Sequence, residues 1–209
     1  MLRADNIKII LFAILCICFI FYLFLGIYSF NKDKKAKINI VFFALCISVS
    51  IMAIGSAFML ISPNVEIANR WRIISALGGC FISPICMSFF FSFIVTNQKN
   101  SYSKIQYSLY IASIIFFISN LIYQPSNAVS REAYGFVSIS YSTTTIGIIF
   151  SIYITVISIV GTLITWFQMR NSPKNRVKKQ MKIILIANLI TFCLAVTTNL
   201  VFPDRKSVV

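Results

Sequence analysis

The sequence predicts an all-α fold, a polytopic helical membrane bundle with six transmembrane helices. The chain of 209 residues is 58% hydrophobic and 11% charged, whereas a soluble domain carries about a quarter charged residues. It also contains six apolar stretches of the length that a helix needs to cross a bilayer. They are residues 9–30, 38–61, 71–95, 105–123, 145–167 and 183–202.

The first stretch lies where a secretion signal would lie. Its apolar run is longer than the core of a signal, and no small-x-small cleavage pattern follows Gly26. We therefore interpret it as a helix that stays in the protein. The second stretch, residues 38–61, follows after a connector that contains four lysines, and such a charge run separates membrane spans.

Basic residues are divided unequally between the connectors, and this asymmetry predicts the orientation. The connectors after the first, third and fifth helices hold twelve of the nineteen basic residues, whereas those after the second and fourth hold three. Positive loops stay in the cytoplasm, so we expect the N-terminus on the outer side of the membrane. The net charge of +14 is then mainly a topology signal. Its dispersal over short loops argues against a nucleic-acid partner.

The third stretch begins with charged and aromatic residues. Glu66 and Arg70 are four residues apart, a spacing that predicts an ion pair on a helix. Trp71 is typical of the aromatic belt at a membrane interface. Arg72 is expected to extend its side chain to the lipid headgroups. These residues either anchor the helix at the interface or bind a ligand, and we favour anchoring.

The same helix carries a start signal and two interruptions. Ser62 is predicted to cap the helix, and Pro63 is tolerated in the first turn. The pair Gly78 and Gly79 is expected to allow close helix packing. Pro84 is expected to kink the helix near its middle. A kinked helix can line a ligand cavity, but a packing feature is the commoner outcome.

The connector 124–144 is the longest and contains Tyr134, Phe136 and Tyr141 among serines and threonines. It is either a lid or an ordinary surface loop.

Several classes of site are excluded by the residues present. The chain contains no histidine, and its six cysteines all lie inside predicted spans, where thiols act as small hydrophobes. No nucleophile–base pair and no glycine-rich phosphate loop occur. We therefore predict no catalytic residue, cofactor site or metal site, and no enzyme activity in the chain as given. All five acids lie in loops or at the ends, which argues against ion-coupled transport.

A resemblance to a known family adds to this prediction. The segment FALCISVSIMAIGSAFMLISPNVEIANRWRIISALGGCFISPICMSFFFSFI resembles the N-terminal seven-helix region of bacterial sensor histidine kinases and of some diguanylate cyclases. The shared positions are Glu66, Trp71 with Arg70 and Arg72, Pro84 and the aromatic residues 89–91. The similarity extends over most of residues 7–202. It implies a membrane sensor that passes a stimulus to a cytoplasmic catalytic module.

The chain departs from this family pattern at its end. It shows six predicted helices where the pattern has seven, and it carries no catalytic module. Residues 204–209, DRKSVV, match the translation of a widely used sequencing adaptor. We therefore expect a sensor region over residues 1–203, truncated after the sixth helix, and an artefact over 204–209.

The predicted function is a membrane-embedded sensory input domain of a signal-transduction protein of the histidine kinase type, without its cytoplasmic effector. The expected partners are the lipid bilayer and a small-molecule or peptide stimulus, with a homodimer left open. The alternatives are a small multi-pass permease or transport subunit, and a structural membrane subunit without a ligand.

Overall fold

The computed structural model describes residues 2–92, 99–122, 130–133, 136–139 and 145–171, with eight single positions between 178 and 189. Its helices are α1 (Leu2–Lys32), α2 (Lys37–Leu60), α3 (Val65–Ser92), α4 (Lys99–Ile122) and α5 (Thr145–Asn171), and its strands are β1 (Ser130–Ala133) and β2 (Phe136–Ile139). The contacts of the chain fall into two compact units, which divide between Ile152 and Tyr153.

The predicted fold class is confirmed. Each of these five helices is long and apolar enough to cross a membrane. The predicted sixth helix, residues 183–202, lies outside the described residues apart from four helical positions up to Leu189. The tail 204–209 also lies outside them. The sixth helix and the artefact over residues 204–209 therefore stay predictions.

Helix α3 is the central element of the first unit. It packs against α2 and α4, and α1 packs against α2. Of the five candidate spans, α3 buries the largest share of its apolar segment and α1 the smallest. Because the exposed side chains of α1 are mostly Ile and Phe, this helix presents a surface suited to lipid.

Glycine and serine residues bring α2 and α3 close together. A Cβ atom added to Gly55 would lie 2.5 Å from the Ser75 nitrogen, and one added to Gly78 would collide with the Ser48 oxygen. The Ser56 and Ser75 hydroxyls are 2.9 Å apart across the same interface. Close packing at Gly78 is therefore confirmed. Gly79 differs, because an added Cβ there would meet only the Met52 sulfur, at 3.8 Å.

The start of α3 differs from the prediction. The residue that caps the helix is Asn64, whose Oδ1 accepts a hydrogen bond from the Ile67 nitrogen at 2.9 Å. The Ser62 hydroxyl instead donates to the Phe58 oxygen at 2.7 Å and so completes the end of α2. Either polar residue was able to cap by its chemistry. The turn places the asparagine in the capping position.

The long connector contains more structure than the sequence indicated. Within residues 124–144, β1 and β2 form an antiparallel pair in which Ser130 faces Ile139 and Ala133 faces Phe136. Strand β2 also contacts α2 and α3. The hairpin is a small addition to a helical fold. The choice between a lid and an ordinary surface loop stays open.

Candidate functional site

Arg72 lies two turns into α3, with its side chain inside the protein. The residue is only 7% exposed, although a side chain that reaches to lipid headgroups has to leave the protein surface. The structure therefore differs from the expectation that Arg72 extends outward as a membrane anchor. A buried ionisable residue in a membrane helix requires polar partners in the protein.

Those partners include two asparagines. The Arg72 Nε donates to Oδ1 of Asn69 at 2.8 Å, one turn back on α3. Nη1 donates to Oδ1 of Asn120 at 2.7 Å, and Nη2 donates to the main-chain oxygen of Asn120 at 3.1 Å. The Asn120 Nδ2 donates in turn to the Phe116 oxygen at 3.2 Å, which orients the amide. The guanidinium thus joins α3 to α4.

The position of Asn120 explains why an arginine is favourable here. Helix α4 is described to Ile122, so the Asn120 carbonyl belongs to the last turn, whose oxygens lack donors within the helix. A guanidinium supplies such a donor, and its positive charge suits the negative end of the helix dipole. Arg72 therefore acts as a cap for α4 as well as a link between the helices.

A cavity of about 220 Å³ lies beside this link. Arg72 and Asn120 form part of its wall, together with Ser75. The remaining lining residues are Met52, Met59, Ala76, Gly79, Cys80 and Phe150. Because Gly79 has no side chain to fill the space, its position in the wall helps to keep the cavity open. The lining thus combines one bonded polar pair with a mainly apolar surface.

Trp71 points to α2 and lies outside the cavity lining. Its ring stacks on that of Phe58, with centroids 4.5 Å apart and planes at 19°. Phe58 also meets Phe12 of α1 edge-on at 5.6 Å. This aromatic contact holds α3 against α2 one residue before Arg72. Arg72, the next residue, points about 100° away around the helix and contacts α4.

The other predicted site residues lie elsewhere on α3. Glu66 and Arg70 form the predicted ion pair at 2.9 Å, with side chains 76% and 74% exposed. An exposed pair of this kind contributes little stability. Pro84 is fully buried one turn beyond Cys80, and its main-chain oxygen accepts from the Ser88 hydroxyl at 2.9 Å. Of the five predicted residues, only Arg72 lines the cavity.

Ser88 makes a second polar contact between α3 and α4. Its hydroxyl lies 3.2 Å from the hydroxyl of Tyr110. Helix α3 therefore meets α4 through polar groups both near Arg72 and, four turns later, at Ser88. Among the residues that the structure describes, no group of three histidine, cysteine or acidic side chains has the geometry to hold a metal ion.

Comparison with known proteins identifies the family of this helical arrangement. The family model of the N-terminal seven-transmembrane region of histidine kinase matches residues 14–205. The chain belongs to this family. The resemblance found in the sequence is thereby confirmed. No curated protein and no solved structure gives a significant match.

Within this histidine kinase region, the sequence did not indicate Asn120 as a site residue. An asparagine near the end of an apolar helix is a common feature, and its partner Arg72 lies 48 positions earlier. The available signal was its polarity among apolar neighbours in the stretch 105–123. That signal marks a residue that needs a partner, but it does not identify which helix supplies it.

Proposed function

We propose that this chain is the sensory input domain of a histidine-kinase-type signalling protein in a bacterial cell membrane. The observation that carries the proposal is the family match over residues 14–205. The matched region is the N-terminal membrane part of these kinases, and the five described spans agree with such a role. The stimulus then acts outside the cell or within the bilayer, and the output is a change in kinase activity.

The cavity beside Arg72 is the stimulus site in this proposal. An ionisable residue inside a membrane protein is costly to bury and commonly serves function. Arg72 is buried, lines the cavity and joins two helices through Asn120. A molecule in the cavity therefore contacts a group whose bonds hold α3 to α4. Such contact gives a stimulus a physical route to the arrangement of the helices.

The orientation follows from the distribution of basic residues. With the N-terminus outside, the connectors after α1, α3 and α5 are cytoplasmic. An effector that uses cytoplasmic ATP then has to follow an odd number of crossings, which the seven spans of the matched family provide. The effector in this proposal is a cytoplasmic histidine kinase module, with a diguanylate cyclase module as the second candidate.

An assay on the intact protein tests the sensory role. Autophosphorylation is measured in membrane vesicles for wild type, Arg72→Gln and Arg70→Gln at equal membrane abundance. Both variants lose one arginine from α3, but only Arg72 is buried and bonded to α4. We expect Arg72→Gln to change the basal or stimulated rate and Arg70→Gln to leave it unchanged. Equal rates for all three proteins would reject the Arg72 site.

A further inference from the structure

The cavity wall contains the permanently charged guanidinium of Arg72, which donates hydrogen bonds, and a mainly apolar surface. A guanidinium has only donors, so any molecule that binds it has to present an acceptor. The described acceptors of Arg72 at the cavity are the amide and main-chain oxygens of Asn120. Met52, Cys80 and Phe150 provide sulfur atoms and an aromatic ring to the lining, and such groups adapt to aliphatic ligands.

The volume limits how much of a ligand lies inside the cavity. An engineered protein cavity of about 150 Å³ accepts benzene, which has six carbon atoms. By that measure, the 220 Å³ cavity accommodates about nine non-hydrogen atoms. A short aliphatic chain with a small polar head has the appropriate size.

We propose that this cavity binds a small anionic amphiphile, a short-chain carboxylate in the simplest case, with its head on Arg72 and its chain among Met52, Cys80 and Phe150. This inference rests on the proposed sensory function and names the ligand class of that site. Hydrogen bonds between a guanidinium and an anionic oxygen are stronger than those to a neutral amide oxygen. A carboxylate is therefore able to replace the Asn120 side chain on Nη1.

The exchange of the Asn120 side chain for the carboxylate couples ligand binding to the contact between α3 and α4. The bond from Nη1 to the Asn120 side chain is 2.7 Å long and joins α3 to α4. When the carboxylate takes its place, α4 loses one of the two hydrogen bonds that Arg72 donates to Asn120. The ligand then favours a state in which α3 and α4 are less tightly joined, because it binds that state better.

Ligand binding is measured by fluorine NMR on the 209-residue chain in phosphatidylcholine nanodiscs, with empty nanodiscs as the blank. The probes are 4,4,4-trifluorobutanoate, 4,4,4-trifluorobutanamide and 4,4,4-trifluorobutylamine, which share a chain, differ in the head and stay within the cavity volume. We expect saturable binding of the carboxylate, about tenfold weaker binding of the amide, and none of the amine. Equal binding of amine and carboxylate, or no saturable binding of the carboxylate, would overturn the proposal.

A matched pair of variants locates the site. Ala76→Leu adds bulk to the cavity wall, whereas Ala13→Leu adds the same bulk to an exposed face of α1. The carboxylate is expected to bind at least about tenfold more weakly to Ala76→Leu, since the ligand has to enter a filled space. Unchanged binding to a folded Ala76→Leu chain would place the ligand elsewhere and reject the cavity.

The sensory function and the ligand class of the cavity are tested by independent measurements. The head-group ranking is obtained on the wild-type chain, so it decides the ligand class even if Ala76→Leu does not fold. The NMR measurement contains no signalling readout, and its failure leaves the sensory role to the autophosphorylation assay. A negative autophosphorylation result, conversely, does not alter a measured affinity.

Discussion

Arg72 of α3 donates two hydrogen bonds to Asn120 of α4, one to the side-chain oxygen at 2.7 Å and one to the main-chain oxygen at 3.1 Å. The pair joins residues that are 48 positions apart. The same contact gives hydrogen-bond partners to the buried Arg72 guanidinium and to a carbonyl in the last turn of α4. The link therefore joins two helices of the first unit at a buried polar contact.

Replacement of Asn120 tests the energetic weight of the link. Asn120→Ala removes the acceptor of Nη1 and leaves the main-chain acceptor in place. We expect the free energy of unfolding to fall by about 1–2 kcal/mol, because a buried charged donor loses a hydrogen bond. Steric trapping in bicelles measures it. Ser119→Ala is the control, since its hydroxyl is exposed and bonds to its own helix. An equal loss in both variants would contradict a special role for Asn120.

The two neighbouring glycines of α3 provide a matched pair. In Gly78→Ala the new methyl group collides with the backbone of α2 at Ser48 and Met52, so we expect a loss of about 1–3 kcal/mol. In Gly79→Ala the nearest atom is the Met52 sulfur at 3.8 Å. Alanine favours the helix over glycine by up to about 1 kcal/mol, so this variant should be neutral or stabilised. Equal thermal stability of the two variants in detergent would contradict the observed packing.

The stack between Trp71 and Phe58 predicts a graded effect of ring removal. Trp71→Ala removes the aromatic contact at 4.5 Å and should cost about 2 kcal/mol of unfolding free energy. Trp71→Phe keeps a ring in contact with Phe58 and should cost less than about 1 kcal/mol. Urea or SDS titration followed by circular dichroism measures both. A result in which phenylalanine is no better than alanine would assign Trp71 to lipid contact alone.

The orientation is testable by cysteine labelling in intact cells. Lys35 is exposed in the connector between α1 and α2, and Ser130 begins β1 in the connector after α4. An impermeant maleimide should label Ser130→Cys before cell lysis and Lys35→Cys only after it, because basic connectors stay in the cytoplasm. The unmodified chain gives the background of its native thiols. Labelling of Lys35→Cys from outside would reverse the predicted orientation.

The sequence by itself determined the helical membrane class, the positions of the five described spans and the ion pair between Glu66 and Arg70. These features depend on composition and on spacings of a few residues, since an apolar run sets a span and four residues make one helical turn. Prediction succeeds for such features because all the interacting groups are near one another in the chain. The outcome does not depend on which helices become neighbours.

Only the tertiary structure decided which polar and small residues meet. Arg72 has the same features in the sequence whether it extends to lipid or faces Asn120, and Gly78 differs from Gly79 only by the rotation of α3 about its axis. Successive helical residues point about 100° apart, so one glycine contacts α2 closely and the next lines a cavity. The rotation is set by packing against α2 and α4, whose contacting residues are distant in the sequence.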